Sequence, residues 1–148
     1  MLAAVIAVIG TLLGAIVAGF IQQRTARTAR DAARVDHRRD RELEAVTNFA
    51  FAVAAHRRAM FVREDLRLSG AEADHAVQSR TESHVACSAI ESPRVLVSIL
   101  VPALGSAAAV QASYALRSAL DTDTLAELRQ SAADAADNFA TAAARHFA

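Results

Sequence analysis

The apolar positions of this chain fall into two regimes. Residues 2–21 carry no charged side chain, and Thr11 is their one polar group. As a helix that run spans roughly 30 Å, the thickness of a bilayer's hydrocarbon core, and so predicts a transmembrane segment. Gln22 and Gln23 close it. Beyond them the pattern turns periodic. Leu43, Val46, Ala50, Val53 and Met60 recur near three- and four-residue steps, with Phe49 and Phe61 widening the stripe. That spacing predicts a helix with one face packed on other helices. No glycine or proline interrupts residues 22–68. The stretch therefore predicts a stalk continuing the span for at most about 70 Å, unless it breaks near residues 37–40.

Later elements are set by punctuation. Ser69 and Glu72 have capping-box spacing, which predicts a second helix from Gly70 to Ile90, ended or kinked at Ser92-Pro93. Residues 95–101, VLVSILV, are rich in β-branched groups but have no evident strand partner. They read as a short buried helix or a crossover, with Leu96, Ile99 and Leu100 as core candidates. Pro102 suits the first turn of a third helix reaching Leu120, with Leu104, Tyr114, Leu116 and Leu120 as its larger apolar groups. Thr124 and Glu127 predict the start of a last helix. Leu125, Leu128, Ala132, Ala135, Phe139 and Ala142 then trace a packed seam. Arg145 and His146 sit at its C-terminal end, where positive charge complements the helix dipole. The expected fold class is all-α: a single N-terminal transmembrane helix continuing into a helical stalk and a small antiparallel helical bundle. The expected divisions are an anchor over 1–21, a basic juxtamembrane helix over 22–42 and a cytoplasmic bundle over 43–148.

Charge sharpens the membrane reading. Arg24, Arg27, Arg30, Arg34, Arg38, Arg39 and Arg41 follow the span, offset by Asp31, Asp36 and Asp40. Basic residues beside a span stay cytoplasmic, so the N-terminus is expected outside and the C-terminal domain inside. The first six of these arginines are candidates to meet anionic lipid headgroups, an attraction of about 1 kcal/mol per residue at the surface. A secretory signal has a basic opening and a run of about 7–15 residues; only Met1 precedes the longer run here, which favours an uncleaved anchor. Cleavage at Gly19-Phe20 is the alternative and would leave a secreted helical protein. Gly10 and Gly14 form GxxxG, extended by Ala18, a small-residue face on which two membrane helices can pack. The formal net charge is zero, with sixteen arginines and no lysine, which argues against direct sequence-specific nucleic-acid binding. The lone cysteine, Cys87, forms no internal disulfide and suits a reducing interior.

Reactive chemistry has no visible frame. The chain lacks a nucleotide loop, a zinc quartet, HExxH and a nucleophile elbow. His84 and Cys87 stand three apart, and His75 lies nine before His84. Two or three such groups fall short of the four usual zinc ligands, so no metal or cofactor is assigned. Serine, histidine and aspartate occur without triad spacing, no catalytic residue is assigned, and an enzyme is not expected.

The opening MLAAVIAVIGTLLGAIVAGFIQQRTAR with its arginine-rich continuation resembles the KilB-like membrane proteins of actinobacteria. The similar positions are the span with Gly10 and Gly14, the exit at residues 22–24, HRRAMFVRED at 56–65 and YALR at 114–117. The resemblance covers the first 40 residues best and carries no catalytic residues. It implies a non-enzymatic membrane accessory of plasmid spread or conjugative transfer, with membrane lipids, other transfer proteins and further copies of itself as partners. A phage holin-like membrane-active protein is the other reading, although residues 95–101 are too few to cross a bilayer alone.

Overall fold

The computed structural model describes the backbone of residues 2–148, and the side chains of Arg30 and of residues 33–148. Four α-helices account for most of it: α1 (Leu2–Leu68), α2 (Ala73–Leu100), α3 (Ala107–Ala115) and α4 (Thr122–Phe147). Short 3-10 turns at Pro102–Leu104 and Leu116–Ser118 link the last three. The all-α class expected from the sequence is thus found, and no strand occurs among the described residues. The chain divides into two compact units, residues 1–40 and residues 41–148. The helix passes residues 37–40 without interruption. Among the described residues no helix is long and apolar enough to cross a membrane. The anchor expected over 1–21 lies outside the described side chains.

Within residues 41–148, α1 and α4 run antiparallel. Glu42 faces His146, Phe49 meets Phe139, Arg57 reaches Ala132 and Arg129 lies over Phe61, so one number rises as the other falls. The α1 stripe expected from periodicity is present but rotated. Ala45, Val46, Phe49, Val53 and Met60 are buried, whereas Leu43 and Ala50 are exposed. One position is about 100° of helix, enough to turn a side chain from core to solvent.

The core has two apolar clusters. The larger joins Val46, Phe49 and Val53 to Ile90, Val97, Val101, Leu104, Val110 and Phe139. The smaller gathers Met60, Leu116, Ala119 and Leu125. Phe49 and Phe139 meet edge to face with centroids 4.9 Å apart, the arrangement their ring quadrupoles favour. The α4 seam is as expected: Leu125, Ala132 and Phe139 are buried, and Leu128, Ala135 and Ala142 half-buried.

Helix ends depart from the local rules. Ser69 does not cap α2; its hydroxyl donates to Leu66 O at 3.2 Å, while Glu72 holds the N-cap position without a side-chain bond. Gly70 instead closes α1 in the left-handed conformation (φ 69°), and Ala71 N–H returns to Leu66 O at 3.1 Å. This is the Schellman arrangement, which favours glycine because it has no Cβ to strain. The last helix is capped by Asp121 rather than Thr124. The Asp121 carboxylate accepts from both the Thr124 hydroxyl and its amide at 2.7 Å, bonds that hold its pKa below the ordinary value.

Pro93 also fails to end α2, which continues to Leu100. Proline lacks the N–H that would reach back one turn, a local cost. The turns beyond it place Val97 and Val101 in the core, and that burial outweighs the lost bond. Residues 95–100 therefore form the end of α2, not a crossover. Leu96 and Ile99 point to solvent rather than into the bundle, as does Leu120 at the other end of the predicted third helix. That helix is shorter than expected, because Gly105 takes a left-handed turn (φ 59°) after Pro102–Leu104.

Candidate functional site

Between the two apolar clusters α1 carries a polar layer. His56 lies on the buried stripe, three residues after Val53 and four before Met60, and is fully enclosed. Its Nδ1 is 3.0 Å from Ser113 Oγ, and the Ser113 hydroxyl donates to Val110 O at 2.7 Å. A hydroxyl has one proton to give, so Ser113 accepts from His56 and the proton resides on Nδ1. Nε2 is then a bare acceptor, and it has no hydrogen-bond partner among the described residues. Burial, and then the charge of Arg117, push the imidazole pKa below its usual value and keep the ring neutral.

Tyr114 covers the imidazole, with ring centroids 4.8 Å apart. Its hydroxyl pairs with Cys87 Sγ at 2.7 Å and so ties α3 to α2. That bond and then burial raise the phenol pKa. The Arg117 guanidinium lies over the outer tyrosine face, 5.2 Å from the centroid. One turn beyond Met60, the buried Glu64 binds Arg67 at 2.5 Å and Arg63 at 3.5 Å. Arg67 also donates to Ala119 O, and Arg63 to Ser83 Oγ, so this carboxylate organises contacts to two further segments.

The surface beside this layer is a groove between α1 and α4. Ala54, Arg57, Arg58 and Phe61 form one wall, and Ala126, Arg129, Gln130 and Ala133 the other, around a space of about 470 Å³. Arg57 donates to Ala132 O at 3.2 Å, and the Arg129 guanidinium lies 4.6 Å from the Phe61 centroid. Among the residues lining the groove none is acidic. None of the three arginines has Asp or Glu three or four positions away on its own helix, the spacing at which helical ion pairs form. A second groove of about 380 Å³ continues from Ala54 and is nearly all apolar, with Val46, Ala50, Phe51, Phe139 and Ala143 along it. Phe51 is largely exposed there. One end of this two-part surface offers guanidinium charge, the other apolar area. Thr47 supplies the one hydroxyl among these lining residues, which include no histidine, cysteine or carboxylate.

The profile of the KilB plasmid transfer protein family matches residues 43–147. The chain is also 52% identical to protein KilB of Streptomyces lividans over 149 aligned positions, covering 99% of each. This chain belongs to the KilB family. No solved structure matches it. The family match spans the whole polar layer and both grooves, while residues 1–42 precede it. The two internal KilB-like stretches meet in the fold. HRRAMFVRED supplies His56, Arg57, Arg58, Phe61 and Glu64, YALR supplies Tyr114 and Arg117, and His56 packs on Tyr114.

Of the residues singled out in the sequence, Gly10, Gly14, Ala18, Arg24 and Arg27 lie outside the described side chains. Arg30, Arg34, Arg38 and Arg39 are exposed on α1. His75 and His84 are exposed on α2, and Cys87 turns inward to Tyr114. Among the described residues no three His, Cys, Asp or Glu side chains converge as metal ligands. No motif marks His56, Glu64, Ser113 or Arg129 individually, although the KilB-like stretch at 56–65 encloses the first two together with Arg57 and Arg58. Position on the stripe was the available signal for the first two: His56 and Glu64 continue the steps through Val46, Phe49, Val53 and Met60.

Proposed function

We propose that this KilB-family chain is a membrane-anchored, non-enzymatic accessory of plasmid spread. Residues 1–21 form the span, with the N-terminus outside. Arg24 to Arg39 lie at the inner membrane face, and residues 43–148 form a cytoplasmic docking body. The anchor rests on the uncharged run and its basic flank. In the membrane, self-association runs through Gly10, Gly14 and Ala18.

The observation that carries the docking role is the two-part groove of α1 and α4. Arg57, Arg58 and Arg129 suit a carboxylate-bearing surface, and the adjoining apolar half suits an aliphatic or aromatic ridge on the same partner. The occupant is another transfer protein whose exposed helix carries acid at one end and apolar groups at the other. Chemistry is disfavoured because no histidine, cysteine or carboxylate lines the groove to activate the Thr47 hydroxyl, and the imidazole of His56 is sealed from solvent.

Arg58→Glu with Arg129→Glu tests this, since both side chains are exposed and neither belongs to the buried clusters, Arg129 giving up only its contact with the half-buried Phe61 ring. Plasmid spread between mycelia is expected to fall sharply while helicity and the amount of chain in the membrane pellet are unchanged. Undiminished spread would sink the docking role. Reporter fusions at each terminus test the anchor separately: an external or released C-terminal domain would overturn the topology.

A further inference from the structure

We propose that α2 is a dimerisation surface, on which a second copy of this chain packs its own α2 antiparallel, with the two helices crossing at Ser88. The helix has a buried side, formed by Ser79, Ser83, Ile90 and Val97, and an opposite side that faces solvent. That outer side is unusually apolar. Val77, Val85, Val95, Leu96 and Ile99 all lie there, and Val85 and Ile99 are 66% and 69% exposed. Val77 and Val95 share one azimuth, because eighteen residues are five turns at about 3.6 residues each. Ile99 lies one further turn along the same side. Thr81, Ser88 and Ser92 occupy the intervening positions, so the line from Val77 to Ile99 contains no Asp, Glu or Arg.

The arrangement is self-complementary. Rotation about Ser88 places position 77 opposite 99 and position 81 opposite 95. Val77 thus meets the partner's Ile99, and Thr81 the partner's Val95. The bulky groups fall at the two ends, and the small Ser88 falls at the crossing, where helix backbones approach most closely. The polar margin agrees with the same rotation. His84 and Glu91 lie on one edge of the stripe, four positions before Ser88 and three after it, so each copy's imidazole comes beside the other's Glu91 carboxylate, one oxygen of which already accepts from Arg94 at 3.1 Å. A parallel pairing would instead put the two His84–Glu91 edges on opposite margins, where they do not meet. A two-fold axis with one patch on both subunits is also the commonest closed geometry for identical chains. This surface is separate from the α1–α4 groove and from the span, and does not depend on either.

The test uses the full chain in its membranes, in a Cys87→Ser background that keeps a hydroxyl for Tyr114. Ser88→Cys is expected to give a disulfide-linked dimer on mild oxidation. Val77→Cys and Ile99→Cys are each expected to stay monomeric alone, and to link to one another when two tagged copies are co-expressed. Adding Val85→Glu to Ser88→Cys is expected to reduce the dimer at least tenfold with helicity unchanged, since position 85 is exposed. Self-linking of Val77→Cys would show a parallel pair and overturn the proposal. Absence of a link at all three positions, or a Ser88→Cys dimer indifferent to Val85→Glu, would overturn it as well.

Discussion

The buried stripe of α1 is built in two different ways along its length. From Ala45 to Val53 it is apolar and centred on Phe49 against Phe139. From His56 to Glu64 it alternates polar groups with Met60, and each polar group has named partners. Burial is the same in both halves, but the physics differs. Apolar packing is non-directional, indifferent to pH and tolerant of small rotations. A buried hydrogen bond is worth little net when made and costs much when one partner is lost. The first half therefore supplies most of the stability. The second half fixes how α2, α3 and the segment before α4 register on α1, because His56 reaches Ser113, Arg63 reaches Ser83 and Arg67 reaches Ala119.

The sharpest way to break that contrast is to truncate one side chain in each half. Phe49→Ala removes a fully enclosed ring together with its edge-to-face partner, at a cost of about 3–5 kcal/mol. Chemical denaturation of the full chain followed by circular dichroism should show that loss. A loss below about 1 kcal/mol would mean that the apolar half does not carry the fold. Glu64→Ala is expected to cost less, about 1.5–3 kcal/mol, the range for hydrogen bonds to a charged group. Arg67 is half exposed and can turn to water, which keeps this below the cost of stranding a buried charge. Its distinctive effect should be local: amide exchange near Ala119 and Ser83 should rise while exchange around Phe139 stays slow. Uniform acceleration would mean that Glu64 acts on the whole bundle and not on register.

The same division explains what the sequence made legible. The α4 seam and the apolar half of α1 obey a rule that counts apolar residues, so their periodicity pointed to the core. His56 and Glu64 occupy equivalent places on the stripe, but that rule skips polar residues. Leu43 and Ala50 fit the approximate spacing, but each lies about one position off the true line, and burial changes completely over that step. Pro93 and the Ser69 cap failed for another reason. Local preferences of about 1–3 kcal/mol yield to tertiary burial, here of Val97 and Val101, and to the glycine-closed turn at Gly70. The groove lay beyond any local rule. Arg57 and Arg58 are 71 or more residues from Arg129, and only the antiparallel pairing of α1 with α4 brings them to one space. The internal KilB-like stretches did enclose most of the polar layer, without revealing that they meet.

The smallest expected effect in this comparison is a slope rather than a loss. His56 is held neutral by burial and by Arg117, so its folded pKa lies below the unfolded value of about 6.5. As pH falls through that unfolded value, the unfolded chain gains a proton that the folded chain declines. Stability should therefore be fully present at pH 7 and decline as pH drops toward the lowered folded value, where the loss levels off. Tyr114, which covers the imidazole, has its phenol pKa raised and so stays neutral throughout that window. His56→Gln removes the titration while leaving an amide able to donate to Ser113. Melting temperature plotted from pH 7 to 5 should be flatter for this variant than for the parent, whatever the offset between the curves. Parallel curves would place the acid sensitivity elsewhere and leave the polar half of α1 as insensitive to pH as the apolar half.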